Sequence, residues 1–405
     1  MSEEKLVPKL RFSGFDDEWK SFKLSEISKR ITRKNKSLET DRPLTISAQY
    51  GLVDQIEYFN KIVASKSLKG YYLLNKGEFA YNKSYSNGYP FGAVKRLDDY
   101  ENGAISTLYI CFNTNDKMNS DLLKEYFETD KWHEEIYKIA VEGARNHGLL
   151  NVAVGDFFNT KHVLPTNNHE QEKIAKFLIE INTKIDLLEN KHKAYQDFKK
   201  YLMQKIFAQE LRFADCTGEW NLFKLGDIVE LMRNGCSENQ VSFETEFPVT
   251  RIETISKGIL NFDKVGYVEK IDSSYLLQYG DILLSNINSL KYIGNCVFFD
   301  EDKPLYHGMN LMLMRFKDDF NKKYLFYYMK FYQQWFQKMA CQAVNQASIN
   351  QSSLKKFPFY IPPTIDEQNK IVNVIDDTEH KINSIEDQII KMEEFKKGLL
   401  QQMFI

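Results

Sequence analysis

Residues 170–207 read EQEKIAKFLIEINTKIDLLENKHKAYQDFKKYLMQKIF, without a proline or a glycine. Ile174, Leu178, Ile181, Ile185, Leu188, His192 and Tyr195 follow one another at steps of four and three. That spacing lays an apolar seam along one face of a helix. Sustained over this length, it predicts the seam of a coiled coil rather than a helix folded flat into a core. At about 1.5 Å per residue, the helix is roughly 55 Å long. An open seam needs a partner, and residues 367–404 match the first stretch without a gap, 197 positions later. Glu170, Gln171, Lys173 and Ile174 recur as Glu367, Gln368, Lys370 and Ile371, and the Phe198-Lys199-Lys200 ending recurs as Phe395-Lys396-Lys397. In the second copy Ile371, Ile375, Ile382, Ile385, Ile389 and Met392 carry the seam.

The repeat extends upstream of each helix. Leu10-Arg11-Phe12, Glu18-Trp19 and Phe22-Lys23-Leu24 return as Leu211-Arg212-Phe213, Glu219-Trp220 and Phe223-Lys224-Leu225, here 201 positions later. A period of about half the chain means one unit built twice. The predicted division is a globular domain over 1–165, a long helix over 166–210, a second globular domain over 211–363 and a second long helix over 364–405. Each globular part has an ordinary domain size. Paired antiparallel, the helices would hold two pseudo-symmetric mixed α/β domains apart, an α+β fold.

The globular parts show strand patterns. Tyr71–Leu74, Glu78–Tyr81 and the run Ala104–Ile110 are short, aromatic or β-branched, and are separated by Asn75-Lys76-Gly77, Ser86-Asn87-Gly88 and Glu101-Asn102-Gly103. Those separators are turn chemistry. Ser120–Ile139 has helical period, with Asn119 or Ser120 as its cap. The second half answers with Gly280–Ser285, a strand over Asn310–Met314 and a helix opening at Tyr324. Each half leaves through a strand and a proline, Leu164-Pro165 and Ile361-Pro362-Pro363. Proline ends a strand ladder a few residues before the helix. The halves agree in framework and differ in loops: Gln49-Tyr50-Gly51 has no obvious counterpart, and residues 143–148 face 343–346.

Composition excludes several classes. Five cysteines, widely spaced and never CxxC, argue for a reducing compartment and against a disulfide frame or a zinc site. Seven histidines form no pair at metal spacing. There is no run long enough for a membrane span and no signal-peptide core at the N-terminus, so a cytoplasmic protein is expected. No glycine-rich phosphate loop, dinucleotide fingerprint, methyltransferase tetrad or helicase motif is present. The net charge of −2 is uneven: residues 366–397 hold nine acids against five bases, which leaves the remainder of the chain at +2.

The duplicated order of variable domain, proline and Glu-Gln helix resembles the specificity subunit of bacterial type I restriction–modification systems. The motifs that carry the resemblance are Leu164-Pro165 before Glu170-Gln171-Glu172-Lys173-Ile174, and Ile361-Pro362-Pro363 before Glu367-Gln368-Asn369-Lys370-Ile371, with the Trp19 and Trp220 stretches and the Phe-Lys-Lys endings. The resemblance implies that each globular half is a target recognition domain reading one half of a bipartite, asymmetric double-stranded DNA site. It implies that the paired helices set the spacer and dock two methyltransferase subunits, to which endonuclease/translocase subunits add. It implies no catalysis and no cofactor in this chain; S-adenosylmethionine, ATP and Mg²⁺ belong to the partners.

Polar loops interleaved with aromatics are the candidate DNA contacts: Asn82, Lys83, Ser84, Tyr85 and Ser86, then Arg145, Asn146 and His147, in the first half. Asn286, Asn288 and Lys291, with Asn345 and Gln346, stand for them in the second. Arg33 and Lys34, from the densest basic run, and Arg233 complete the set. Arg reads guanine and Asn reads adenine by paired hydrogen bonds, while Lys and Ser hold phosphates. The plain alternative for each loop is a solvated turn, and for the basic run a charged helix end and loop. Lys199-Lys200 and Lys396-Lys397 are read as covering the seam and complementing the helix dipole. Trp19 and Trp220 are read as core anchors. Two other classes remain: a coiled-coil adaptor joining two protein-binding domains without DNA, and an enzyme with an unrecognised site.

Overall fold

The computed structural model describes residues 5–405 except 62, 66, 87, 141–149, 257 and 343–345. The chain forms two compact units. One runs to Glu189 and adds Glu386–Ile405; the other is the continuous stretch Asn190–Ile385. The first long helix, Asn168–Phe207, and the second, Ile365–Met403, are each shared between the units. Each unit therefore contains one globular α/β domain, the beginning of one long helix and the end of the other. No helix among the described residues is long and apolar enough to cross a membrane.

In the first unit, Lys20–Lys23 pairs antiparallel with Lys161–Leu164, so the chain enters and leaves the domain side by side. A four-stranded sheet follows in the order Ser28–Arg30, Ile110–Thr114, Phe79–Asn82, Ala93–Arg96. A second sheet has the order Gly51–Asp54, Pro43–Ser47, Asn102–Ile105, Tyr72–Asn75. The second unit repeats the framework. Asn221–Lys224 pairs with Pro358–Ile361, and the four-stranded sheet runs Val229–Asn234, Met312–Phe316, Ile282–Leu284, Cys296–Phe298. Among the described residues, its other strands form two three-stranded sheets, where the first unit has a second four-stranded sheet.

Three expectations change. The run Ala104–Ile110 is two strands in two different sheets, because Ser106 turns the chain: its Oγ accepts from Leu108 N and its carbonyl from Tyr109 N. Ser120–Ile139 is two helices, Ser120–Tyr126 and His133–Ile139; Thr129 Oγ1 donates back to Tyr126 O at 2.7 Å and ends the first. Asn119 is the cap, its Oδ1 accepting from Asp121 and Leu122 N–H. The basic run at Arg30–Lys36 is a loop, as expected, but it continues from a strand and not from a helix end, with Lys34 bridged to Tyr72.

The seam also divides its labour. Ile174, Ala175, Leu178 and Ile181 lie in one core with Trp19, Phe22 and Leu122, and the same core holds Leu399, Leu400, Met403 and Phe404 from the other helix. Ile371, Val372 and Ile375 do the same in the second unit with Leu202, Met203, Ile206 and Phe207. The first turns of each helix are thus folded into a domain core, contrary to a purely coiled-coil reading. In each unit the start of one long helix meets the end of the other, the geometry of antiparallel pairing. Further along, Ile185 and Met392 pack at the edge of the first core, Leu188, Ile382 and Ile385 are buried, and Ile389 is half-buried. His192 is half-buried, with no partner on Nε2.

Candidate nucleic-acid interface

The site is positioned by the Glu-Gln pair that opens each long helix. Glu170 is 1% exposed, and Arg11 grips it with two bonds, Nε to Oε1 at 2.6 Å and Nη2 to Oε2 at 2.8 Å. Trp19 Nε1 donates to the same Oε1 at 3.3 Å. The second unit reproduces this. Arg212 donates to Glu367 at 2.7 and 2.8 Å, and Trp220 Nε1 donates at 3.1 Å. A buried carboxylate needs such charge-assisted partners.

The neighbouring glutamine ties a different element. Gln171 accepts from Asn119 N at 2.8 Å and donates to Pro165 O at 2.9 Å. Gln368 accepts from Asn321 N at 2.9 Å and donates to Pro362 O at 3.2 Å. Asn119 and Asn321 cap the helices Ser120–Tyr126 and Lys322–Phe331. One dipeptide therefore locks the long helix to the domain's first strand region, to its exit proline and to its packing helix. The sequence shows Arg11, Trp19, Glu170 and Gln171 recurring as Arg212, Trp220, Glu367 and Gln368 and places the tryptophans in the core, where they are buried; it does not show that these residues pair, nor that Asn119 and Asn321 join them. The available signal was that arginine, tryptophan and glutamate all recur in the same order.

A second repeated tie lies further along. Lys396 Nζ is 3.4 Å from buried Glu125, which also accepts from Asn182 Nδ2 at 2.8 Å. Lys199 Nζ is 2.8 Å from Glu379, which accepts from the Tyr327 hydroxyl at 2.9 Å. The lysines occupy equivalent positions, but the carboxylate has moved from the domain helix to the long helix. Burial works to raise the Glu379 carboxyl; the bond to Lys199 overrides it and holds the group below its ordinary range. The lysines do more than cover the seam.

The described candidate loops carry internal hydrogen bonds. Asn82 Oδ1 accepts from Ser84 N at 3.0 Å, Lys83 Nζ donates to Val152 O at 3.4 Å, and Ser86 and Tyr89 exchange backbone bonds. Tyr85 is left 60% exposed at the tip. In the second unit Asn288 spends both ends of its amide within the loop, on Ser285 Oγ and Ser289 N. Asn286 is buried: it bonds to Ile349 through backbone and side chain, and its Oδ1 has no protein partner. Lys291 stands over the Tyr292 ring at 4.6 Å. The pairing of Asn288 with Ala347 brings exposed Gln346 alongside this loop. Arg145, Asn146, His147 and Asn345 lie outside the described residues.

The remaining basic candidates have structural ties. Arg33 pairs with Glu78 at 2.7 Å and donates to Leu73 O at 3.1 Å. Lys34 donates to Gly70 O at 2.9 Å and sits 4.0 Å over the Tyr72 ring. Arg233 donates to Ser274 O and lies 3.9 Å over Tyr275. Among the described residues, no group of three or more His, Cys, Asp or Glu is placed to hold a metal ion.

Residues 217–394 match the family model described as the type I restriction modification DNA specificity domain. A putative type I restriction enzyme MjaX specificity subunit from Methanocaldococcus jannaschii is 39% identical over 195 residues, which is 46% of this chain and 45% of that one. The second half of this chain is thus similar to type I restriction specificity subunits. The MjaX match spans less than half of that relative's length. Two solved structures agree over nearly the whole chain at the level of fold. One, from work on complex assembly and conformational transition of the type I R-M system, has a TM-score of 0.60 at 16% identity, covering 95% of this chain and 97% of that one. The other, the S subunit from M. genitalium, has a TM-score of 0.57 at 15% identity, covering 99% of each. The specificity-subunit fold thus extends over both units, including the half that lies outside the matched family model.

Proposed function

We propose that this chain is the DNA-reading subunit of a type I restriction–modification complex. Each unit reads one half of a bipartite, asymmetric site, and the two long helices set the spacer. Two methyltransferase subunits dock on the chain, and endonuclease/translocase subunits join them. S-adenosylmethionine, ATP and Mg²⁺ are handled by those partners, and this chain performs no chemistry of its own. The complex works in the cytoplasm, on genomic DNA.

The observation that carries this reading is the duplicated anchor bearing unlike loops. Arg11–Glu170–Trp19 and Arg212–Glu367–Trp220 fix both domains to the helices in the same way. The loops at Asn82–Ser86 and Ser285–Lys291 differ in sequence and in bonding. One framework offering two surfaces is what reading two unlike half-sites requires. Phosphate contacts position such a reader, and base contacts at the loops give it specificity.

Genomic methylation mapping tests it. Residues up to Pro165 are exchanged for those of a relative, in a host carrying the complete system. One half of the methylated motif changes and the other half and the spacer stay. A motif that is unchanged, or changed throughout, contradicts the assignment.

A further inference from the structure

Each unit contains a groove at equivalent positions of the repeat. In the second unit it is lined by Gln196, Lys199, Lys200 and Met203 of one long helix, Glu379 and Ile382 of the other, and the segment Lys330–Lys338 of the domain, and it encloses about 790 Å³. In the first unit Glu393, Lys396, Lys397 and Leu400 stand where Gln196, Lys199, Lys200 and Met203 stood, with Asn182 and Ile185 for Glu379 and Ile382, and the volume is about 740 Å³. The same groove has been built twice at nearly the same size.

Their chemistry differs. The second unit's groove has an apolar and aromatic lining that includes Phe331, Tyr332 and Trp335. Four lysines line it, Lys199, Lys200, Lys330 and Lys338, against one carboxylate, Glu379, which Lys199 already holds. Lys330 lies 5.4 Å over the Phe326 ring. In the first unit the position of Lys330 is taken by Glu128, which binds Lys95 at 2.6 Å. Arg96 and Lys124 are likewise held there by Asp98. That groove carries five basic and five acidic side chains, so its charge is internally balanced.

We infer that the second unit's groove docks an acidic, aromatic-bearing helix of a protein partner, and that its counterpart in the first unit takes the same partner type with little dependence on charge. The inference rests on the assembly proposed above. The lining residues of the first long helix, 196, 199, 200 and 203, and those of the domain segment, 330, 331, 334, 335 and 338, both recur at three- and four-residue steps. The long-helix wall follows one helix axis, and the domain wall is built from the end of the helix Lys322–Phe331 and from the helix Gln333–Met339; a groove between helices suits a helix carrying apolar anchors and a charged flank. A recessed aromatic floor suits side chains. A duplex backbone would engage the lysines and leave the aromatic lining unused. Charge at the rim governs association rate and salt response more than it governs the final contact. The two copies of one partner therefore meet unequal grooves.

The test uses the full chain with its own methyltransferase subunits, counted by native mass spectrometry and analytical ultracentrifugation across a salt series. The variant is the triple change Lys200→Glu, Lys330→Glu and Lys338→Glu; a neutral triple variant to Gln serves as the milder step. Lys397→Glu in the first unit is the control. The second unit's groove should bind on the order of ten- to a hundred-fold more weakly in the charge-reversed variant. One partner copy is then lost at moderate salt while the other stays, the neutral variant lies between, and the control keeps two. Two copies retained with unchanged salt dependence overturns the inference. Loss of DNA affinity with both copies retained also overturns it, and assigns the lysines to phosphate. A wild type that takes up no methyltransferase refutes the assembly itself, which is a different failure.

Discussion

Trp220 Nε1 donates to Glu367 Oε1 at 3.1 Å across 147 residues of chain, and the carboxylate it reaches is 1% exposed. Trp19 and Glu170 repeat the bond in the other unit. The indole alone cannot neutralise a buried carboxylate; the arginine fork beside it does so.

Arg11→Ala should therefore destabilise the first unit by about 3 kcal/mol, the scale for stranding a buried charge. The side chains of this pair are 11% and 1% exposed. Arg11→Lys should recover only part of that, because an ammonium cannot make both parallel bonds. Equilibrium urea unfolding reads the difference, and an unmoved midpoint in Arg11→Ala counts against the anchor.

Val374 stands where the first unit has Phe177, and the difference leaves a cavity. Phe177 packs edge-on to Phe12 at 5.6 Å. Around Val374, a space of about 150 Å³ opens among Leu202, Ile206, Phe213 and Trp220. Val374→Phe should fill it and raise the second unit's stability by about 1 kcal/mol, while Phe177→Val should cost the first unit about 2 kcal/mol. Calorimetry of both variants decides it; destabilisation by Val374→Phe would mean the space cannot accept a ring.

His162 should make the first unit acid-sensitive. It is buried, and burial pushes it down to about 4. Thr160 Oγ1 already donates to Phe157 O at 2.6 Å, so it accepts from His162 Nε2 at 2.8 Å, and Nδ1 then faces the Tyr126 hydroxyl at 3.1 Å. The neutral ring satisfies both nitrogens. The folded value lies below the unfolded one, near 6.5, so the stabilisation is fully present above that pH and is lost as pH falls from there to about 4. The loss approaches about 3 kcal/mol. Urea unfolding at pH 7 and pH 5 should show it, and His162→Asn should flatten the first unit's response. His307, pushed to about 4 by burial in the second unit, should leave that unit's own response in place.

Tyr85 and Arg33 should separate binding from stability. Tyr85 is exposed on a pinned loop, so Tyr85→Ala should leave the unfolding midpoint unchanged and weaken binding to the methylated motif by about tenfold, the scale of one lost base-level contact. Arg33 is tied to Glu78 and Leu73, so Arg33→Ala should lower stability as well. Equal behaviour of the two variants in fluorescence anisotropy and unfolding would contradict this split.

The long helices are legible because Ile174 to Leu188 and Ile371 to Ile389 keep an uninterrupted helical period, and the repeat is legible because Trp19, Glu170 and their copies keep their order. What the helices touch is not legible: Ile174 and Leu178 carry the same spacing as Leu188, yet they pack into a domain core. Local spacing reports which face is apolar and is silent on what covers it. The loops were harder still. Asn286 and Asn288 are alike in type and two positions apart, but strand pairing with the segment after Gln346 buries the first. The exchange of carboxylate between Glu125 and Glu379 is invisible in one dimension, because each half supplies the acid from a different helix.

The first unit is closed by Leu399, Leu400, Met403 and Phe404, which are translated after the whole of Asn190–Ile385. During synthesis, the earlier-made domain waits with its apolar surface open until the last residues of the chain have been added. A premature stop near Ile385 would therefore harm the amino-terminal half of the molecule, and chaperone demand would fall on the part that emerged first.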